Sequence, residues 1–192
     1  MTDVTTYHVD SGRTGVHPSF PFTTPGTWRQ YCKLNLGSPA MGSDQPGVAV
    51  RGAPLYVEGW TFTAGPHAGE THDLIVIATS DNLVYAYAED QLLADPTAGP
   101  LWGGNPTAGQ PGYLGTPSSS LGSNIPIPIG VCSTPLVDRA SARVFAMALI
   151  SGAPDTYSIF SLDLNTGAIL AQAQLNDTST TAPHPFTSSA QG

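Results

Sequence analysis

Charged side chains are scarce in this chain. Only 10% of its 192 residues are Asp, Glu, Lys or Arg, Lys33 is the single lysine, and the formal net charge is -8. The arginines are scattered along the sequence rather than clustered. Neutralising nucleic-acid phosphates requires clustered Lys and Arg, so the composition argues against a nucleic-acid partner.

Long apolar runs are missing as well. No segment reaches the roughly 18 consecutive apolar residues that a membrane-spanning helix requires. The opening segment MTDVTTYHVD contains neither the basic region nor the apolar region of a secretory leader. The sequence therefore predicts no membrane span and shows no signal peptide.

Cysteine is limited to Cys32 and Cys132. The chain has no CxxC, no CxxCH and no adjacent cysteine pair, so zinc ribbons, thioredoxin-like redox sites and c-type haem attachment have no ligands here. We interpret the two cysteines as small buried side chains. A single disulfide in an oxidising compartment is the alternative.

Glycine and proline are abundant, with 21 and 18 residues, and no segment shows convincing helical periodicity. Instead, four short apolar segments occur twice in the same order. After Pro54 the segments are LYV, DLIVIATS, NLVYAYAED and PLW, and after Pro135 they are LVD, RVFAMALI, TYSIFSLDL and AILAQAQL. Each set predicts four short strands separated by turns.

The apolar patterns also predict how deeply these strands are buried. LIVIA and VFAMALI are continuous apolar runs, which indicates strands covered on both sides. The following segments, NLVYAYAED and YSIFSLDL, alternate as half-buried strands do. The segments Pro96–Gly99 and Asn165–Gly167 supply glycine for the turns that lead to the fourth strands.

A repeat of roughly 45 to 55 residues with four strands and no helix is typical of β-propeller blades. The stretch THDLIVIATSDNLVYAYAED, followed by GPLW, resembles the blades of the quinoprotein-like β-propeller family. IGVCSTPLVD is similar to the first strand of a further blade, and TYHVDSGRTGVHPS is similar to the segment that precedes the first blade in that family. The predicted fold class is all-β, a partial β-propeller of four-stranded antiparallel blades.

The resemblance also has functional implications. Pyrroloquinoline-quinone-dependent dehydrogenases of the family stack their cofactor against a disulfide between adjacent cysteines, and this chain has no such pair. We therefore expect no quinone, no haem and no catalytic metal. The resemblance favours an extracellular or cell-surface location.

The chain divides into five predicted parts. They are a lead-in with an unpaired outer strand, a first blade, a long Pro-, Gly- and Ser-rich loop, a second blade and a flexible tail. Their respective ranges are 1–49, 50–102, 103–131, 132–175 and 176–192.

The densest polar cluster is His67, Glu70, His72 and Asp73. Imidazole and carboxylate ligands suit zinc, nickel or copper, which makes these residues candidate metal ligands. The preferred interpretation is a polar loop without metal, because a glycine-rich loop holds its side chains in no fixed arrangement.

Two blades cannot close a propeller, which needs about four to eight. The chain is therefore a piece of a longer propeller, associates with its own copies, or is completed by another chain. We expect a non-catalytic structural or binding protein that associates through open blade edges. The candidate contact residues are Tyr113 and Leu114 in the long loop, and Val76, Ile77, Val144 and Phe145 on uncovered sheet surfaces. A fragment of a quinoprotein dehydrogenase-like enzyme and a carbohydrate- or peptide-binding module are the alternatives.

Overall fold

The computed structural model of the chain describes residue 36, residues 49–119 and residues 128–175. Within them, the strands form two four-stranded antiparallel sheets, each with its strands side by side in chain order. Sheet 1 comprises β1 (Leu55–Thr61), β2 (Thr71–Ala78), β3 (Val84–Ala88) and β4 (Trp102–Gly103). Sheet 2 comprises β5 (Leu136–Asp138), β6 (Arg143–Ile150), β7 (Thr156–Asp163) and β8 (Ile169–Gln174). The β class and both four-stranded sheets are thus confirmed.

The turn between β7 and β8 forms as its sequence predicts. Oδ1 of Asp163 accepts hydrogen bonds from the backbone N–H groups of Asn165 and Thr166, at 2.7 and 3.0 Å. Gly167 follows at φ +69°, where glycine is favoured, and its N–H donates to the Asp163 carbonyl at 2.8 Å. This turn starts β8 on the outer edge of sheet 2.

The first strand is longer than predicted. The segment from Glu58 onward was expected to be loop, but β1 continues to Thr61 and pairs with β2 across a bulge between Val57 and Trp60. The bulge absorbs Gly59 at φ +56°. Gly59 therefore lies in a strand that bends and continues.

A short helix was not predicted. The strand expected to reach Asp90 ends at Ala88, and α1 (Glu89–Ala94) follows directly. Glu89 and Asp90 occupy its first turn, where negative charge favours a helix. Leu92 is buried against sheet 1. A helix of six residues is too short to show a helical period of apolar residues in the sequence, and only one of its side chains, Leu92, is buried.

The two sheets share one hydrophobic core. Its buried side chains come from both sheets and include Leu55, Val76, Val84 and Trp102 of sheet 1, and Val137, Val144, Ala146, Phe160 and Leu162 of sheet 2. Polar contacts between the sheets surround this core. The Trp102 indole N–H donates to the Leu164 carbonyl at 2.9 Å, and the Asn165 side chain accepts from the Thr63 N–H at 3.0 Å.

The predicted burial of individual strands is wrong for two of them. All five residues of β3 are buried, although the segment was expected to be half-buried. β6 alternates, although it was expected to be covered on both sides. The reason is tertiary: sheet 1 is covered on both surfaces around β3, whereas β6 contacts the shared core with one surface.

The first part of the long segment 103–131 is tied to sheet 1. The Val84 N–H donates to the Gly112 carbonyl at 2.9 Å, and Tyr113 forms a bridge with Leu83. In the described part of the chain no helix is long and apolar enough to cross a membrane.

Gly112 provides a test of this packing. It has φ +73°, and a Cβ at this position would overlap the Val84 carbonyl oxygen. Gly109 has φ +82° with open space around it. We expect Gly112→Ala to lower the free energy of unfolding by about 1–3 kcal/mol more than Gly109→Ala, because both share the φ strain but only Gly112→Ala adds a backbone clash. Denaturant unfolding measures both; equal losses would contradict the packing at Gly112.

Candidate functional site

The polar cluster singled out by the sequence lies around His72, at the beginning of β2. Nε2 of His72 is 3.1 Å from a carboxylate oxygen of Glu70, and Nδ1 is 3.0 Å from Asp90 in α1. The same Glu70 oxygen is 3.0 Å from Nδ1 of His67. Glu70 therefore joins the two imidazoles, and His72 joins the β1–β2 loop to α1.

Asp73 belongs to a second, separate group. Its carboxylate accepts the Tyr56 hydroxyl at 2.7 Å and the Gly59 N–H at 2.6 Å. The Tyr56 hydroxyl is also 3.1 Å from Glu89. Burial, followed by these two carboxylates, raises the pKa of Tyr56, and the Tyr56 hydrogen bond lowers the pKa of Asp73. Asp73 thus holds the bulge of β1 instead of facing the imidazoles.

The contacts of His72 indicate the protonation state of its imidazole ring. Both nitrogens of His72 face carboxylate oxygens, which only accept hydrogen bonds when ionised, so both nitrogens carry protons. A metal ion would have to displace one of these protons before it could bind the imidazole. Among the described residues, no group of three or more His, Cys, Asp or Glu side chains is placed to hold a metal ion.

The pKa values of the cluster agree with this protonation. Partial burial acts to lower the pKa of His72, but the hydrogen bonds to Glu70 and Asp90 and their charges together outweigh it and raise this pKa. The hydrogen bonds from His72 and then His67 lower the pKa of Glu70. Protonated His72 therefore links β2 to the helix α1 that covers part of sheet 1.

A second polar feature was missed by sequence reasoning. The turn between β2 and β3 buries Thr79, Ser80, Asp81 and Asn82. Nδ2 of Asn82, at φ +63°, donates to the Leu149 carbonyl in sheet 2 at 2.9 Å. Burial raises the pKa of Asp81. The sequence TSDN signals a turn, but no local pattern shows that the turn is covered by the opposite sheet.

The cysteine interpretation is wrong for Cys132, which is exposed with a free thiol. Val131 beside it is buried in the shared core. Cys32, the predicted unpaired outer strand TWRQYCKLNL up to Asn35, and the tail 176–192 lie outside the described residues.

The candidate contact residues occupy different places. Val76 and Val144 lie in the shared core, and so does Leu114 of the long loop. Ile77 is buried on the other surface of sheet 1, where Tyr113 packs beside it. Phe145 alone among the sheet residues is partly exposed on an outer surface. Sheet surfaces expected to be uncovered are therefore covered within the chain, except on sheet 2.

Within the described residues, sheet 2 presents one surface on which large apolar side chains remain exposed. The strand register places Leu136, Phe145, Met147, Ile159, Ala171 and Ala173 on this side, away from the shared core, with Ser161 among them and Leu149 at one end, both of which are buried. We call the first six residues the open face. Leu136 and Ile159 remain 42% and 39% exposed, which is unusual for large apolar side chains in a sheet.

Comparison with known proteins adds no identification. No family model matches the chain, and neither the curated proteins nor the solved structures contain a significant match. The resemblance to quinoprotein-like propellers and the absence of a quinone, haem or metal site consequently remain predictions.

The His72 cluster leads to a prediction on pH. A raised pKa in the folded state means that the His72 contribution to stability is complete below the unfolded value of 6.5 and is lost as the pH rises through the folded pKa. The Glu70 contribution is complete above its unfolded value of 4.5 and is lost as the pH falls through its lowered pKa. Between these values both contributions are present.

We therefore expect the free energy of unfolding to fall between pH 5.5 and pH 8.5, and the fall to shrink in His72→Gln. Denaturant titrations at the two pH values measure it. His67→Gln is the matched control, because His67 contacts Glu70 but makes no link to α1. An identical pH dependence in the wild type and His72→Gln would show that His72 is not the titrating group.

Proposed function

We propose that this chain is a non-catalytic structural or binding protein, built from two β-propeller-type blades, that associates through the open side of its second sheet. The observation that carries the proposal is the contrast between the two outer surfaces. The outer surface of sheet 1 is covered by Leu92 of α1, with Leu36, Ala98 and Tyr113 beside it. No described element covers the open face of sheet 2.

The outer edge of sheet 2 supports the same function. All six residues of β8 are exposed, and the strand, ILAQAQ, contains no charged residue and no proline. Proteins usually protect an edge strand with charges, proline or a covering element. Leu170 and Leu175 at this edge remain 50% and 38% exposed. Such an edge favours contact with another β-structure.

The net charge of the chain opposes non-specific association. At -8, identical chains repel each other at long range, which opposes indiscriminate aggregation. Contact is favoured only where apolar surface without charge is available, and the open face provides it. We infer a defined assembly with a copy of the same chain or with another chain.

Sedimentation equilibrium of the pure chain at micromolar concentrations tests this function. We expect a mass above the 19.9 kDa of one chain. We also expect association to strengthen when salt is raised from about 0.05 to 0.5 M, because salt screens the repulsion and leaves apolar contact intact. A monodisperse 19.9 kDa species at all concentrations and salt levels would contradict self-association.

A further inference from the structure

Five of the six open-face residues correspond by register to the surface with which sheet 1 packs on sheet 2, and Ser161, which lies among them, corresponds to the buried Ala86. Pro54 and Pro135 precede β1 and β5, so Leu55 corresponds to Leu136. Leu55 pairs with Val76, as Leu136 pairs with Phe145.

Following the register across both sheets extends this correspondence. Trp102, Ala78 and Val84 correspond to Ala171, Met147 and Ile159 of the open face. All five of the sheet 1 residues compared, Leu55, Val76, Ala78, Val84 and Trp102, lie in the shared core. The open face is therefore the equivalent of a surface that is already known to pack against a β-sheet.

The surfaces that could receive the open face are already occupied. Within the chain, the surface of sheet 1 that is equivalent to the open face packs against the other side of sheet 2. That side of sheet 2 is formed by Val137, Val144, Ala146 and Phe160. The equivalent surface of sheet 1, with Ile77 and Tyr85, is covered by Leu92. Among the described residues, a second copy thus has no vacant surface of that kind, which rules out head-to-tail stacking through these surfaces.

We propose that the open face pairs with the open face of a second copy, forming a closed two-fold dimer. This inference rests on the proposed function and specifies its partner. A symmetric contact uses the same patch on both subunits and leaves no further open face for growth. The partner is therefore one identical chain, and the assembly stops at two.

A charged row at one end of the open face fits this pairing. Asp138, Arg143 and Asp163 are neighbours across β5, β6 and β7 and lie on the same side as Phe145. A two-fold axis along the strands, midway between β6 and β7, places Arg143 opposite Asp163 of the partner subunit. The reciprocal contact follows by symmetry. The same axis places Met147 opposite Ile159 of the partner subunit and Phe145 opposite Ser161 of the partner subunit, so apolar contact and opposite charges meet on one axis.

Sedimentation of the full-length chain and its variants tests the pairing. We expect a dimer whose dissociation constant increases at least about 100-fold in Ile159→Lys, because the change introduces two unpaired charges into one symmetric contact. Leu93→Lys is the matched control: Leu93 is 56% exposed on α1, away from the open face, and its change should leave the dimer intact.

A second pair of variants tests the charged row. Arg143→Glu should weaken the dimer by about 10-fold at low salt, with less effect at high salt, while Arg143→Lys should remain close to the wild type. Circular dichroism and thermal melting confirm that each variant is folded.

The outcomes separate the two proposals. An assembly larger than two chains, or a dimer that Ile159→Lys leaves intact, overturns the two-fold pairing while association itself stands. A wild-type chain that remains monomeric overturns the pairing and self-association, and leaves a different chain as the partner of the proposed function. A dimer lost in Ile159→Lys, weakened in Arg143→Glu and unchanged in Leu93→Lys supports the pairing.

Discussion

The shared hydrophobic core between the two sheets is the contact on which the rest of the structure depends. Each sheet by itself has four short strands, too little to bury its own apolar side chains. Packed together, the sheets bury Trp102 and Phe160 in one cluster. The Trp102 indole donates to the Leu164 carbonyl and the Asn82 amide donates to the Leu149 carbonyl, so these two side chains of the first repeat bond to the second.

This core makes the molecule asymmetric. Two equivalent sheets stacked in the same sense leave two different outer surfaces, one at each end of the stack. α1 and its neighbours cover the first, and the His72–Asp90 and Tyr56–Glu89 contacts attach the helix there. The second has no such helix, because the turn between β7 and β8 is short. In the part of the chain that the structure describes, the first repeat therefore carries a cover and the second does not.

Much of the fold was predictable because it is local. Strand positions followed from apolar runs, and the β7–β8 turn followed from Asn165–Gly167. The burial of β3 and the alternation of β6 were not predictable, because they depend on which surfaces the other sheet and α1 cover. The same holds for the candidate site. His67, Glu70 and His72 are close in the sequence and form hydrogen bonds in the structure. The sequence does not show that Asp90, which follows β3 in the chain, joins them, or that Asp73 bonds to Tyr56 and Gly59 instead.

The candidate contact residues show the same limit. Val76 and Phe145 occupy equivalent positions in the repeat, and their sequences are equally apolar, yet Val76 is buried and Phe145 is partly exposed. The difference in burial depends only on whether the residue lies in the first or the second repeat. The sequence predicts that apolar sheet surfaces exist, and only the three-dimensional arrangement shows which of them the described residues leave uncovered.

The most direct measurement of the central claim is the solvent accessibility of individual methyl groups, obtained from NMR relaxation by a soluble paramagnetic agent at low and high protein concentration. The account predicts that the Ile159 methyls become protected as concentration rises, approaching the buried Ile77 methyls, while the Leu93 methyls stay accessible. Ile159 methyls that remain as accessible as those of Leu93, in a sample shown to be associated, would contradict it.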